Sequence, residues 1–261
     1  MLKTTFSDQL LTSLASSAPF ILDQPTRVEL GKLTEDELYD LQKLSLDHCA
    51  DPECRLTGYM TIPTRDTSSR RGSECACSFG RLTSCMSRPE NSKFPLPVRE
   101  PSVVQVHLGL VLGESLPLQT HQPAELLRSL AFATPVVTVV DPRYYEEDID
   151  ASLTIAKNLG VICYVSGGKP VSPDLVKLRT SGVVVEINGE IEALGAGASP
   201  FNDPLYSLAE FLEKRLHPGG VLDAGSMILS GPLTPHFTVK AGDVVNVRCQ
   251  HMGSVSFVLE A

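Results

Sequence analysis

Hydrophobic positions change rhythm twice along this 261-residue chain. Over residues 5–15 and 34–49 they recur at helical spacing. The second helix opens at Thr34-Glu35-Asp36-Glu37, where Thr34 caps and the acids complement the N-terminal dipole. Its apolar stripe is Leu38, Leu41, Leu44 and Leu46. Residues 50–98 lose that periodicity. They are rich in Ser, Arg, Cys and Pro, and predict a long connecting region with one short strand at 58–62. From residue 102 the rhythm is that of strands, at 102–112, 135–140, 161–166, 181–187, 226–230, 243–249 and 254–259. Val103, Val104, Val106, Leu108, Leu110 and Val111 make the first a largely buried strand. Val183 to Ile187, then Asn188-Gly189, then Glu190-Ile191-Glu192, is the strongest hairpin signal. Helices interrupt at 123–131, 146–158 and 203–216. Pro204 suits a first turn, and Pro218-Gly219-Gly220 closes that helix. The order predicts an α+β fold without regular βαβ alternation or internal repeats.

Composition narrows the class. With 42% hydrophobic residues and 20% charged, the chain can bury a substantial core, so wholesale disorder is excluded. Formal net charge is −9. The one dense basic stretch, Arg65 to Arg71, sits among Ser, Thr and Asp and reads as a solvated loop, so no nucleic-acid partner is expected. No apolar run reaches the ~18 residues that span a bilayer. The N-terminus lacks the layout of a signal peptide, and the expected location is the cytoplasm. Seven cysteines without a secretory signal predict free thiols rather than a disulfide framework. Cys75-x-Cys77 with Cys85 misses the paired C-x₂-C spacing of strong zinc sites.

The most specific signal lies near the C-terminus. LDAGSMILSGPL at 222–233, VKAGDVV at 239–245 and GSVSF at 253–257 resemble the closing segment of the 2-keto-4-pentenoate hydratase / 4-oxalocrotonate decarboxylase family, within the fumarylacetoacetate hydrolase superfamily. Upstream, Gly195-Ala196-Gly197 and Asn202-Asp203-Pro204-Leu205 resemble a Gly-rich stretch and a Pro-Leu of that family. VHLGLVLGESLP at 106–117 resembles its metal-bearing strand, and Gly58 with SFGRL at 78–82 resembles two N-terminal landmarks. The resemblance implies a mixed β-roll of the fumarylacetoacetate hydrolase type over 99–261, preceded by a helical and loop-rich region over 1–98. It also implies a homo-oligomer.

The chemistry that the resemblance implies uses a divalent metal. The metal chelates a 2-oxo acid, polarises its keto group and stabilises an enolate. Two glutamates spaced Glu-x-Glu on one strand hold it, with a third acid about thirty residues later. Side chains two apart on a strand share a face, and Mg²⁺ prefers anionic oxygen. Here the Glu-x-Glu falls on Gln105 and His107, and the third acid on Thr138. A family lysine falls on Met60, an acid falls near Ser84 or Cys85, and an Asp-Asn becomes Lys157-Asn158. The expectation is therefore a site without metal or other cofactor.

Two readings follow. In the first, the protein is a lyase- or isomerase-like enzyme acting on a small keto or enol acid, suited to a specialised biosynthetic pathway. Lys157 and the backbone of Ser230-Gly231 bind the anionic substrate. Lys157 or His107 acts as base, since a desolvated lysine and an imidazole both titrate near neutrality. Gln105, Thr138 and Asn158 line the pocket. In the second, the chain is a non-catalytic relative serving as a ligand-binding or scaffold subunit. Lys157 is then a solvent-facing helix residue and His107 a hydrogen-bonded core histidine.

Overall fold

The computed structural model describes residues 24–49, 53–63, 77–95, 101–119, 121–145, 150–199, 203–214 and 220–260. The helix expected over 5–15 and the basic stretch Arg65 to Arg71 lie outside them. Five α-helices are described: α1 (Gln24–Leu30), α2 (Glu35–Cys49), α3 (Pro123–Ser129), α4 (Ala151–Ala156) and α5 (Leu205–Lys214). Thr34 and Glu37 cap α2 reciprocally: the Thr34 N–H donates to the Glu37 carboxylate at 3.0 Å, and the Glu37 N–H to Thr34 Oγ1 at 3.3 Å.

Fifteen strands among the described residues form the framework. The eight-stranded sheet runs β2 (Cys77–Thr83), β1 (Leu56–Pro63), β12 (Met227–Leu229), β5 (Ser102–Leu112), β7 (Leu130–Val140), β8 (Val161–Ser166) and β3 (Ser87–Arg88), with β13 (Phe237–Val239) also on β5. A five-stranded sheet runs β10 (Glu190–Ala196), β9 (Gly182–Ile187), β14 (Val244–Cys249), β15 (Gly253–Glu260) and β4 (Lys93–Pro95). A short pair joins β11 (Val221–Leu222) to β6 (Leu116–Pro117). The result is a mixed, sheet-dominated α+β fold. Strand pairing crosses residue 98, because β1 is parallel to β12 and β3 is parallel to β8.

The large sheet buries both faces. Along β5, Val104, Val106, Leu108 and Leu110 enter the main core, which also takes in Val137 and Val139 of β7 and the inner positions of the five-stranded sheet. Helix α5 closes part of that side, with Phe211 set 4.3 Å from Tyr59 and 5.3 Å from Phe79, ring centre to ring centre. Gln42 of α2 donates to the carbonyls of Phe79 and Ile155, at 3.0 and 2.8 Å. The alternate positions of β5 face a second, smaller cluster of Met60, Leu82, Val136, Leu159, Val161, Tyr164, Met227 and Leu229.

The glycines that carried the resemblance mark places where backbones nearly touch. A Cβ on Gly58 would sit 1.9 Å from the Met227 carbonyl oxygen, and one on Gly195 would sit 2.0 Å from that of Leu233. Backbone cannot swing aside as a side-chain tip can. Gly58→Ala is therefore expected to force β1 and β12 apart and to destabilise the fold by about 3 kcal/mol in urea unfolding.

Two sequence readings are corrected. Strand β2 occupies a segment read as connecting loop, and it pairs antiparallel with β1 from Leu56↔Thr83 to Pro63↔Cys77. Cys54 and Cys85 are joined in a disulfide with Cα atoms 5.5 Å apart, tying the start of β1 to the turn after β2. Cys163 and Cys249 are buried free thiols, and Cys77 is buried as well. No helix among the described residues is long and apolar enough to cross a membrane.

Candidate functional site

Strand period and register bring Gln105, His107 and Thr138 together. Residues 105 and 107 share one face of β5, and Gln105 lies directly opposite Thr138 on β7. Thr138 in turn lies opposite Tyr164 on β8. His107 and Thr138 are completely buried, and Gln105 is 3% exposed.

The imidazole is held at both nitrogens. Nδ1 lies 2.6 Å from the Ser230 carbonyl and Nε2 3.1 Å from Thr138 Oγ1. A carbonyl only accepts, so Nδ1 carries the proton. Burial pulls the His107 pKa down from 6.5 to about 4, with the Ser230 carbonyl opposing the shift. At neutral pH the ring is uncharged, so Nε2 is an acceptor and the Thr138 hydroxyl donates to it. Thr138 then presents only acceptor capacity to anything else. Gln105 Oε1, buried on the same face, has no hydrogen-bond partner among the described residues.

The remaining predicted site residues are engaged by the protein itself. The Ser230 hydroxyl accepts from the Leu108 N–H and donates to the Gly231 carbonyl, both at 3.0 Å. The Gly231 N–H donates to Ser207 Oγ at 3.0 Å. The anion site expected at Ser230-Gly231 is thus filled by the protein's own groups. Asn158 does not line the pocket with its amide: Nδ2 donates to the Arg81 carbonyl at 2.9 Å, and Oδ1 accepts from the Arg81 N–H at 2.6 Å. It braces β2, with a backbone at φ +56° that Asn tolerates. Lys157 is the half-buried C-cap of α4 rather than a member of the strand row. Sequence reasoning missed Ser207, whose hydroxyl fixes the Gly231 loop, and Tyr164, whose hydroxyl lies 3.1 Å from Thr57 Oγ1. Neither has a linear signal. A cleft of about 430 Å³ opens beside Leu38, Cys77 and Ile155, and Gln105, His107 and Thr138 do not line it.

The donor set does not fit a hard divalent cation. Gln105, His107 and Thr138 supply no anion, and both imidazole nitrogens are already bonded. The described residues contain no group of three or more His, Cys, Asp or Glu able to hold a metal. A dication enclosed here would lack the anionic oxygen that its desolvation requires.

In architecture and strand order the fold is similar to that of solved structures of fumarylacetoacetate hydrolase type. A solved 4-oxalocrotonate decarboxylase from Pseudomonas putida G7, complexed with magnesium and adipate, superposes with a TM-score of 0.84, at 24% identity, over 98% of this chain and 97% of that one. A fumarylacetoacetate hydrolase from Exiguobacterium antarcticum superposes with a TM-score of 0.58, at 14% identity, over 79% of this chain and 75% of that one. In sequence, the chain is a homologue of the 2-keto-4-pentenoate hydratases and 4-oxalocrotonate decarboxylases. It is 27% identical over 237 residues to a 2-keto-4-pentenoate hydratase from Paraburkholderia xenovorans, covering 91% of this chain and 88% of the relative. It is 36% identical over 132 residues to a 4-oxalocrotonate decarboxylase from Pseudomonas putida, covering 51% of this chain and 50% of that one. No family model matches the chain.

Proposed function

We propose that this protein is a lyase- or isomerase-type enzyme that acts on a small keto or enol compound without a divalent metal. The observation that carries the reading is the convergence of Gln105, His107 and Thr138 on the face where the resembled family places its metal-binding acids. There they offer neutral hydrogen-bonding groups instead. Neutral His107 fixes the Thr138 hydroxyl, so that Thr138 Oγ1 and Gln105 Oε1 together present acceptor oxygens to an enol or hydroxyl group. An enol held there is stabilised against its keto form, which is the elementary step shared by hydration, decarboxylation and isomerisation of such compounds. The homologues are named hydratases and a decarboxylase, which supports the reaction class. Assembly as a homo-oligomer and a place in a specialised biosynthetic pathway belong to the same reading.

The experiment follows the ketonisation of enolised substrates by absorbance. Turnover is expected to be unchanged by EDTA, reduced at least 100-fold by Thr138→Val and largely kept by Lys157→Ala. Loss of turnover in EDTA with recovery on adding Mg²⁺ would contradict the reading. The complete burial of His107 favours one second reading, a non-catalytic ligand-binding or scaffold relative. Absence of turnover across 2-oxo acids and enolisable ketones, in a folded protein, would select it.

A further inference from the structure

Around the Gln105–His107–Thr138 row, the strands present a surface without charge. By register, β1 contributes Met60 and Ile62, β2 contributes Ser78, Gly80 and Leu82, and β12 contributes Met227 and Leu229. Next along the sheet come Gln105, His107, Gly109 and Val111 of β5, Val136 and Thr138 of β7, and Tyr164 of β8. Two positions that the resembled family fills with charge are apolar or neutral here: its lysine by Met60, and its later acid by the Ser84-Cys85 turn leading into Met86. Three of the chain's five methionines, Met60, Met86 and Met227, pack in or against this one cluster. Methionine is flexible and polarisable and reshapes around a guest more readily than a branched side chain. Met86, Ile62 and Val111 are half-buried and bring the cluster to the surface. The Cys54–Cys85 bridge holds the turn that carries Met86.

Among the described residues of this face a carboxylate would meet no cation, and His107 offers it no free donor, its one N–H already serving the Ser230 carbonyl. Burying an unpaired anion is strongly unfavourable. On this face the buried Gln105 Oε1 has no partner among the described residues, so it is an acceptor in want of a donor.

We propose that the ligand of this site is an uncharged, largely apolar molecule carrying an enol or hydroxyl donor, such as the enol of a 1,3-diketone, rather than a 2-oxo acid. The O–H is donated to Gln105 Oε1, and the carbon skeleton lies among Met60, Met227 and Leu229. This inference takes the location of the site from the proposed function, but it concerns binding and needs no turnover.

The test labels the methionine methyl groups with ¹³C in the full chain and titrates with pentane-2,4-dione and, separately, with 2-oxopentanoate at pH 7. The diketone is expected to shift Met60, Met86 and Met227 saturably and to leave Met252, in the main core, unmoved. The oxo acid is expected to bind at least 10-fold more weakly. Gln105→Leu should weaken diketone binding at least 10-fold while keeping the melting temperature; Thr138→Val is the second variant should Gln105→Leu fail to fold. Equal or tighter binding of the oxo acid, no shift with either compound, or unchanged affinity in the variants would each overturn the inference. Diketone binding without turnover would leave it standing and refute the proposed function alone. Turnover of oxo acids without diketone binding would do the reverse.

Discussion

A variant carrying Gln105→Glu, His107→Glu and Thr138→Glu is expected to depend on a divalent cation for its stability. The three positions are between 0 and 3% exposed and share one sheet face. Three carboxylates there repel one another and lose their water, and each buried charge carries a penalty of several kcal/mol. In EDTA the melting temperature is expected to fall by more than about 10 °C, using the usual few degrees per kcal/mol for a chain of this size. Millimolar Mg²⁺ should restore much of that loss, because a cation bound only by the folded state stabilises it by mass action. The unmodified protein should melt at one temperature in EDTA and in Mg²⁺. A rise with Mg²⁺ beyond a matched salt control would contradict the proposed metal-free site.

The second large effect is on pH. His107 titrates near 6.5 when the chain is unfolded and near 4 when it is folded. Between those values the unfolded chain takes up a proton that the folded chain refuses. Stability therefore falls as pH falls from about 6.5 to about 4, and this contribution stops changing below that. The full difference is ~3 kcal/mol. The groups facing the ring are the Thr138 hydroxyl and the Ser230 carbonyl, and its neighbours along the face, Gln105 and Val136, are uncharged. Urea unfolding at pH 7 and pH 4.5 should show a loss of about 2 kcal/mol in the natural sequence that His107→Gln lacks. Equal pH dependence in the two proteins would mean that His107 is not held neutral.

What the sequence made legible follows physical period. The run 102–112 reads as a strand because both of its faces are apolar or neutral, and it spans those residues in the structure. The pairing of 105 with 107 follows from alternation along a strand. The Asn188-Gly189 turn follows from its chemistry, and both residues have positive φ. Strand β2 was hidden. CSFGRLT carries no alternation, and its place depends on β1 and on Gly80, where a Cβ would approach the Asn158 carbonyl to 3.2 Å. Helix α4 ends sooner than its apolar pattern suggests. Asn158, Leu159 and Gly160 all take positive φ, a backbone turn with no visible signal at Leu159. The same turn sets Lys157 as a cap and commits Asn158 to Arg81. The second hydrophobic cluster draws on residues from 60 to 229, so only the folded chain reveals that the polar row sits among methionines.

The most direct test of a neutral, cation-free site is ¹⁵N NMR of the His107 ring. The account predicts the Nδ1–H tautomer at pH 7, no titration down to pH 5, and no change on adding Mg²⁺ or Mn²⁺. A midpoint near 6.5, or ring nitrogen shifts that move when Mg²⁺ is added, would contradict it.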